Sequence, residues 1–342
     1  MITQSHMGQE IEEQPSMLMK KSGDWHRQAG QIRNRIEDRP NVLLLGRGSS
    51  GNACIFASYL FSLNTGRHPV EFRPWITTQD LPDSIYDDST ALAYSVSGQS
   101  TDVSHAAAWL NSRKSQVIGI TNAPDENCHL GQASDHLLHL DIGPELAVPA
   151  TKSLCAQLFA TAALCGLEID EAAGETGRAM KEVIKSPFVD EIAGTLNRAR
   201  TTAWIARGLA ISAALDAALK MQETAGIPST AWSTAEFLHG PIGSVNSEDA
   251  VILFVDTLKP TQSFDAVIKH LVTSGTPFFV IAGMDSSPLP GDLTMRFSMP
   301  SPKWAMVPVF SLFSQMIALN IAYRRGLDPD RPSGLQKVTQ TI

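Results

Sequence analysis

No two of the four cysteines, Cys54, Cys128, Cys155 and Cys165, stand at C-x-x-C spacing. That argues against a zinc site or a redox pair and reads as reduced, structural thiols. No run of Lys or Arg forms a basic stripe, and the formal net charge is −8, so no nucleic-acid partner is expected. The first residues, MITQSHMGQEIEEQP, lack the apolar core of a signal peptide. No apolar stretch approaches the ~18 residues of a spanning helix. The expectation is a cytoplasmic protein with no membrane partner.

What is present is an ordinary globular composition, 43% apolar and 18% charged over 342 residues. Residues 8–38 read as a helix with a break near Gly23. From Asn41 onward short apolar runs alternate with helix-length amphipathic stretches: VLLLG, ALAYS, QVIGIT, HLLHLDI. That alternation marks a parallel sheet with crossover helices. Residues 150–200 read as mostly helical. Strand texture then restarts with TTAWIARG, AVILFVD and PFFVIAG, and Met306–Tyr323 reads as a core helix. The halves align at an offset of about 160 residues, Arg47-Gly48 on Arg207-Gly208, which argues for two copies of one α/β unit. The expected organisation is an N-terminal helical arm (1–40), a first domain (41–170), linker helices (171–200), a second domain (201–328) and a C-terminal tail (329–342).

The stretch NVLLLGRGSSGNA runs from a strand into Gly46, Gly48 and Gly51, which spell the dinucleotide fingerprint, and Glu71 could serve as its acidic partner. Yet Ser49 and Ser50 sit where the helix begins. A second turn, YSVSGQSTD, places Ser95, Ser97, Ser100 and Thr101 at the carboxyl end of another strand. Helix N-termini carry unpaired amides and a partial positive charge. Serines cap helices everywhere, but two such turns one strand apart suit a single phosphate better than a dinucleotide.

With EQP at Glu13–Pro15, ELAVPATKS at Glu145–Ser153 and AEFLHGP at Ala235–Pro241, the two serine turns resemble the double sugar-isomerase-domain (SIS) family. That is the phosphosugar-binding fold of the isomerase half of glucosamine–fructose-6-phosphate aminotransferase. The resemblance implies two tandem SIS domains, each a parallel sheet flanked by helices in a flavodoxin-like αβα sandwich. It maps phosphate binding onto Ser50, Ser95, Ser97 and Ser100, with Ser49 and the backbone amide of Val96 beside them. Val96 replaces the family's usual glutamine, which removes one side-chain donor. Val148, Thr151 and Lys152 match the family's further substrate contacts.

The resemblance also implies the chemistry. Lys220 and Glu223 stand at i, i+3; taken alone, such a pair reads as an exposed ion pair on a solvated face. In the family's pattern Glu223 becomes a proton shuttle, with Lys220 beside it. His239 matches a ring-opening histidine delivered by the neighbouring subunit, which implies a homodimer with shared sites. Lys337 matches a tail lysine that contacts the open-chain sugar. No metal and no cofactor are implied. His136 and His139 read as part of a strand and its edge, with no role.

A glutaminase domain is not expected within these 342 residues, whose first stretch carries no cysteine to act as its nucleophile. The tail GLDPDRPSGLQKVTQTI resembles that of stand-alone glucosamine-6-phosphate deaminases of this fold. The favoured expectation is therefore an amino-sugar-phosphate deaminase. The alternatives are an aldose–ketose phosphosugar isomerase or fructosamine-6-phosphate deglycase, a non-catalytic sugar-phosphate sensor, and, least favoured, a nicotinamide oxidoreductase.

Overall fold

The computed structural model describes residues 4–37, 39–82, 84–124, 126–256, 262–287 and 293–337; the end of the tail, 338–342, lies outside the described residues. The chain divides into two compact units, each assembled from separated stretches. One comprises Ser16–Glu145, Lys152–Ala173 and Gln336–Ile342; the other comprises Met1–Pro15, Leu146–Thr151 and Gly174–Leu335.

The chain opens with α1 (His6–Glu37), which contributes residues to both units. It is one continuous helix, so the break expected near Gly23 does not form. Bonds on the far side of the glycine tie the helix to the sheet: the Trp25 indole donates to Leu140 O at 2.9 Å and the Gln28 amide donates to His139 O at 3.1 Å. A mid-helix glycine costs only ~1 kcal/mol, less than such anchoring supplies.

In the first unit, β1 (Asn41–Leu45), α2 (Gly48–Thr65), β2 (Val70–Glu71), β3 (Ser89–Tyr94), α3 (Thr101–Ser112), β4 (Gln116–Thr121), α4 (His129–Gln132) and β5 (His136–His139) follow in order. α5 (Lys152–Leu164) and the start of α6 (Asp170–Lys185) complete it. The strands pair in parallel in the order β2-β1-β3-β4-β5. Alternate residues Leu43 and Leu45 of β1 and Ala91 and Ala93 of β3 join Val103, Ala106 and Leu110 of α3 in one cluster, as the two-residue strand period requires. Both sheet faces are covered, which is why β3 is buried along its whole length. His136 and His139 lie on the edge strand, as read.

In the second unit come α7 (Phe188–Leu196), β6 (Thr202–Ala206), α8 (Ile211–Ala225), β7 (Ser229–Ser233), α9 (Thr234–Leu238), β8 (Ala250–Val255), α10 (Gln262–Ser274), β9 (Phe278–Gly283), β10 (Leu293–Phe297) and α11 (Met306–Arg324). Its order is β10-β9-β8-β6-β7, again all parallel. Counted from its own first strand, this repeats the first unit's topology. Phe264, Val267, Ile268 and Leu271 of α10 cluster with the strands. Phe254 stacks on Phe310 of α11 with ring centroids 4.6 Å apart.

One expectation is corrected here. The segment Lys303–Arg324 is long and apolar enough to cross a membrane by length and composition, although no such stretch was expected. Its window is 94% buried inside the fold. A helix apolar all round suits a buried core position equally well, and α11 is that core helix.

Candidate functional site

In both sheets the chain leaves its first strand in one direction and its third in the other. The crevice beyond the carboxyl ends of β1 and β3 is therefore a switch point, the place where open α/β sheets bind ligands. β1 and β3 are hydrogen-bonded neighbours. Both serine turns follow these two strands, so the topology brings them to the same carboxyl end of the sheet.

After β1, Gly48 takes φ +54°, a conformation a side chain would resist, and α2 starts there. After β3, Gly98 has φ +66°, and a Cβ on it would come within 2.5 Å of Cys128 Sγ. Its amide donates to Ser95 O at 3.1 Å, and its carbonyl accepts from Leu130 N at 2.9 Å. Val96 O accepts from Asn122 N at 2.9 Å. The second turn is thus pinned by backbone bonds.

The serines do not cap their helices. Neither Arg47 before α2 nor Ser100 before α3 makes a side-chain cap bond. The Ser100 hydroxyl donates instead to Asp102 Oδ1 at 3.1 Å, and the Ser97 hydroxyl accepts from Gln99 N at 3.2 Å. By contrast, Ser233 does cap α9, accepting from Glu236 N. Ser49, Ser50 and Ser95 are buried, while Ser97 and Ser100 are part-exposed. Ser50 Oγ accepts from the Gln157 amide at 3.0 Å, which directs its hydroxyl inward toward α5.

Two residues beside these turns carry no role in the sequence reading. Arg47 Nε donates to Asp102 Oδ2 at 2.6 Å and ties the first turn to the second. Gln157 is the buried polar side chain that holds Ser50. A lone glutamine inside the apolar run KSLCAQLFATAAL was the available signal for it.

Burial raises the Cys54 thiol far above its usual range, with Glu71 adding to the effect, which favours the protonated thiol. Burial likewise raises the Tyr94 phenol well above its usual value; neutral, it bonds Thr161 Oγ1 at 2.9 Å.

Lys337 also belongs to the first unit. Its ammonium donates to Glu145 Oε2 at 2.8 Å. The Glu145 side chain is fully buried and the lysine 31% exposed. Lys152 is buried at the first position of α5.

The second unit holds the remaining candidates. Lys220 and Glu223 lie on α8 with Nζ 2.5 Å from Oε2. Lys220 is fully buried and Glu223 is 24% exposed, so this is not the solvated pair that the bare spacing suggests. Thr151 donates its hydroxyl to Glu10 Oε2 at 3.0 Å, and Glu10 Oε1 accepts from the amides of Leu146 and Ala147. The Val148 amide donates to Asp330 O at 2.9 Å. His239 follows the last turn of α9 and is exposed.

Comparisons with known proteins agree with this topology. The SIS domain profile matches residues 35–166 and 195–325. The chain is 28% identical over 352 residues to glutamine–fructose-6-phosphate aminotransferase (isomerizing) of Pyrobaculum aerophilum, covering 97% of this chain and 56% of that protein. It therefore spans about half the length of such relatives. Among solved structures, the C-terminal domain of the Francisella tularensis glucosamine-fructose-6-phosphate aminotransferase superposes with TM-score 0.82 at 20% identity, covering 96% of this chain and 98% of that one. The Thermotoga maritima glucosamine-6-phosphate deaminase superposes with TM-score 0.78 at 23% identity, covering 98% and 100%. With two profile matches that together span most of its length, the chain belongs to the SIS-domain family.

Proposed function

We propose that this chain is a glucosamine-6-phosphate deaminase, converting the amino-sugar phosphate and water to fructose 6-phosphate and ammonia. The observation that carries the reading is the first sheet's switch point, where Ser49 and Ser50 lie in the first turn of α2, the turn Ser95–Ser100 leads into α3, and neither N-cap residue makes a side-chain cap bond. Amides and hydroxyls without bulk suit a phosphate dianion.

The chemistry needs three further acts. His239, acting from a second copy of the chain in a homodimer, takes the anomeric hydroxyl proton and protonates the ring oxygen, which opens the ring. Glu223 then moves the C2 proton to C1, leaving an imine at C2, and Lys220 holds the carboxylate in place. Lys337 meets the open-chain carbonyl. Water adds to the C2 imine and ammonia leaves. The exposure of His239 leaves it accessible to a partner chain, and the buried Lys220 donates to the Glu223 carboxylate.

An aldose–ketose isomerase would use the same Glu223 proton transfer on a sugar with oxygen at C2, so the Lys220–Glu223 pair serves either reading. The deciding experiment measures ammonia release across a panel of amino-sugar and fructosamine 6-phosphates, with aldose–ketose interconversion followed in the same reactions. Ammonia from glucosamine 6-phosphate is the expected result. Interconversion without ammonia would replace the deaminase by the isomerase. Tight NAD binding by calorimetry would sink the phosphate reading of the glycine loop.

A further inference from the structure

Glu145 does two things at once. Its carboxylate accepts from the Ser153 amide at 2.9 Å and the Ser153 hydroxyl at 2.8 Å, at the first turn of α5. A carboxylate there is favoured by the positive end of the helix. Lys337 adds its ammonium to the same group, although it lies 192 residues further along the chain. It arrives on the stretch 327–337, which forms no helix or strand. Such a stretch has little apolar surface with which to fix itself. Immobilising a lysine costs up to about 2 kcal/mol of side-chain entropy. An exposed carboxylate rarely offsets that, whereas a buried one with its other bonds already satisfied gains more from the pairing.

We propose that Glu145 is a positioning residue for Lys337: the capping carboxylate of α5 is also the anchor that presents the tail's ammonium at one place. The proposal rests on the reading of Lys337 as the lysine that meets the open-chain sugar.

Glu145→Gln suits the test, because the amide oxygen can still accept from the Ser153 amide and its NH₂ can donate to the hydroxyl. The cap stays while the charge goes. On the sugar phosphate the wild type turns over, E145Q should lower kcat about tenfold with KM changed less than twofold. In a Lys337→Met background the same substitution should have almost no further effect. An equal loss in both backgrounds would make Glu145 a purely structural residue and overturn the proposal. Hydrogen exchange gives a readout independent of activity. Both E145Q and K337M should speed exchange at residues 334–337 at least fivefold and leave the α5 amides protected. Unchanged exchange there in K337M overturns the proposal even if E145Q proves too unstable to study. If the wild type acts on no sugar phosphate, the functional reading falls, and the exchange experiment alone decides whether the anchor exists.

Discussion

The two sheets share one strand order, yet their switch points differ in the side chains that surround a shared glycine and arginine. After β1 come Ser49 and Ser50 at an α-helix start; after β6 come Leu209 and Ala210, in a short 3-10 turn. Both keep the left-handed glycine, Gly48 at φ +54° and Gly208 at φ +59°. Both keep the arginine, but Arg47 pairs with Asp102 while Arg207 donates to Thr234 and Ser263 hydroxyls. The registers Leu44–Leu92 and Trp204–Ile252 place Asp256 of the second unit where Val96 stands in the first. The first unit also has a carboxylate nearby, Asp102, but it lies in the first turn of α3 and is paired with Arg47. The second unit instead keeps the buried Lys220 with Glu223 on the helix after its first strand. On the proposed function, a backbone device common to both copies carries a division of labour: binding in the first copy and proton transfer in the second.

The sharpest way to break this division is at Glu223. Replacing it with Gln should lower turnover by about 10²–10⁴-fold, the usual contribution of a general base, while binding of inorganic phosphate by calorimetry stays unchanged. Phosphate affinity falling in step with turnover would show that the two roles are not separate.

The converse change is Ser97→Ala. Losing a hydrogen bond to a charged group is worth about 1.5–3 kcal/mol, so sugar-phosphate affinity should fall by about ten- to a hundredfold. Turnover at saturation should move far less. A drop in kcat with unchanged affinity would place Ser97 in the chemistry and not in the phosphate seat.

Complementation tests whether the division extends across a dimer. A chain bearing Glu223→Gln mixed with one bearing His239→Ala should regain part of the wild-type rate. Each mixed dimer would carry one intact site and one with both lesions. Inactive mixtures that are shown to contain mixed dimers would place both groups in the same chain's site.

The duplication itself was legible in the sequence, because Arg47-Gly48 and Arg207-Gly208 each follow a short apolar run that alternates with helix-length stretches. The serine turns were legible for the same local reason. β2, β7 and β10 were not, since sheet edges carry weak apolar patterning: β2 has two residues, and STAWS of β7 is part-exposed along much of its length. The contacts that shape the candidate site were also hidden. Glu10 reaches the 146–151 segment across more than 130 positions, Glu145 reaches Lys337 across 192, and Arg47 reaches Asp102 across 55. Pairings of that range depend on the finished topology and leave no local period. The bare spacing of Lys220 and Glu223 pointed to solvent, and what it could not convey is that α8 turns that face inward.

The smallest effect concerns the aspartate that distinguishes the second switch point. Burial raises the Asp256 carboxyl above its ordinary value of 3.8, with Lys303 and a backbone hydrogen bond opposing the shift. A carboxyl whose folded pKa is raised favours the folded state while protonated. That advantage is complete below the unfolded value of 3.8 and is lost as the pH climbs through the folded one. Asp256→Asn does not titrate and keeps its stability across this window. Wild type and variant should therefore have matching urea midpoints at the acid end, and the variant should become the more stable as pH rises to neutrality. The gain should be on the order of 0.5 kcal/mol, in the range of single surface-charge optimisations. A variant less stable than wild type at neutral pH would mean that the ionised carboxylate is held by more than Lys303. In that case the second switch point holds an organised charge of its own, and the proposed division of labour between the copies would need a binding role on both sides.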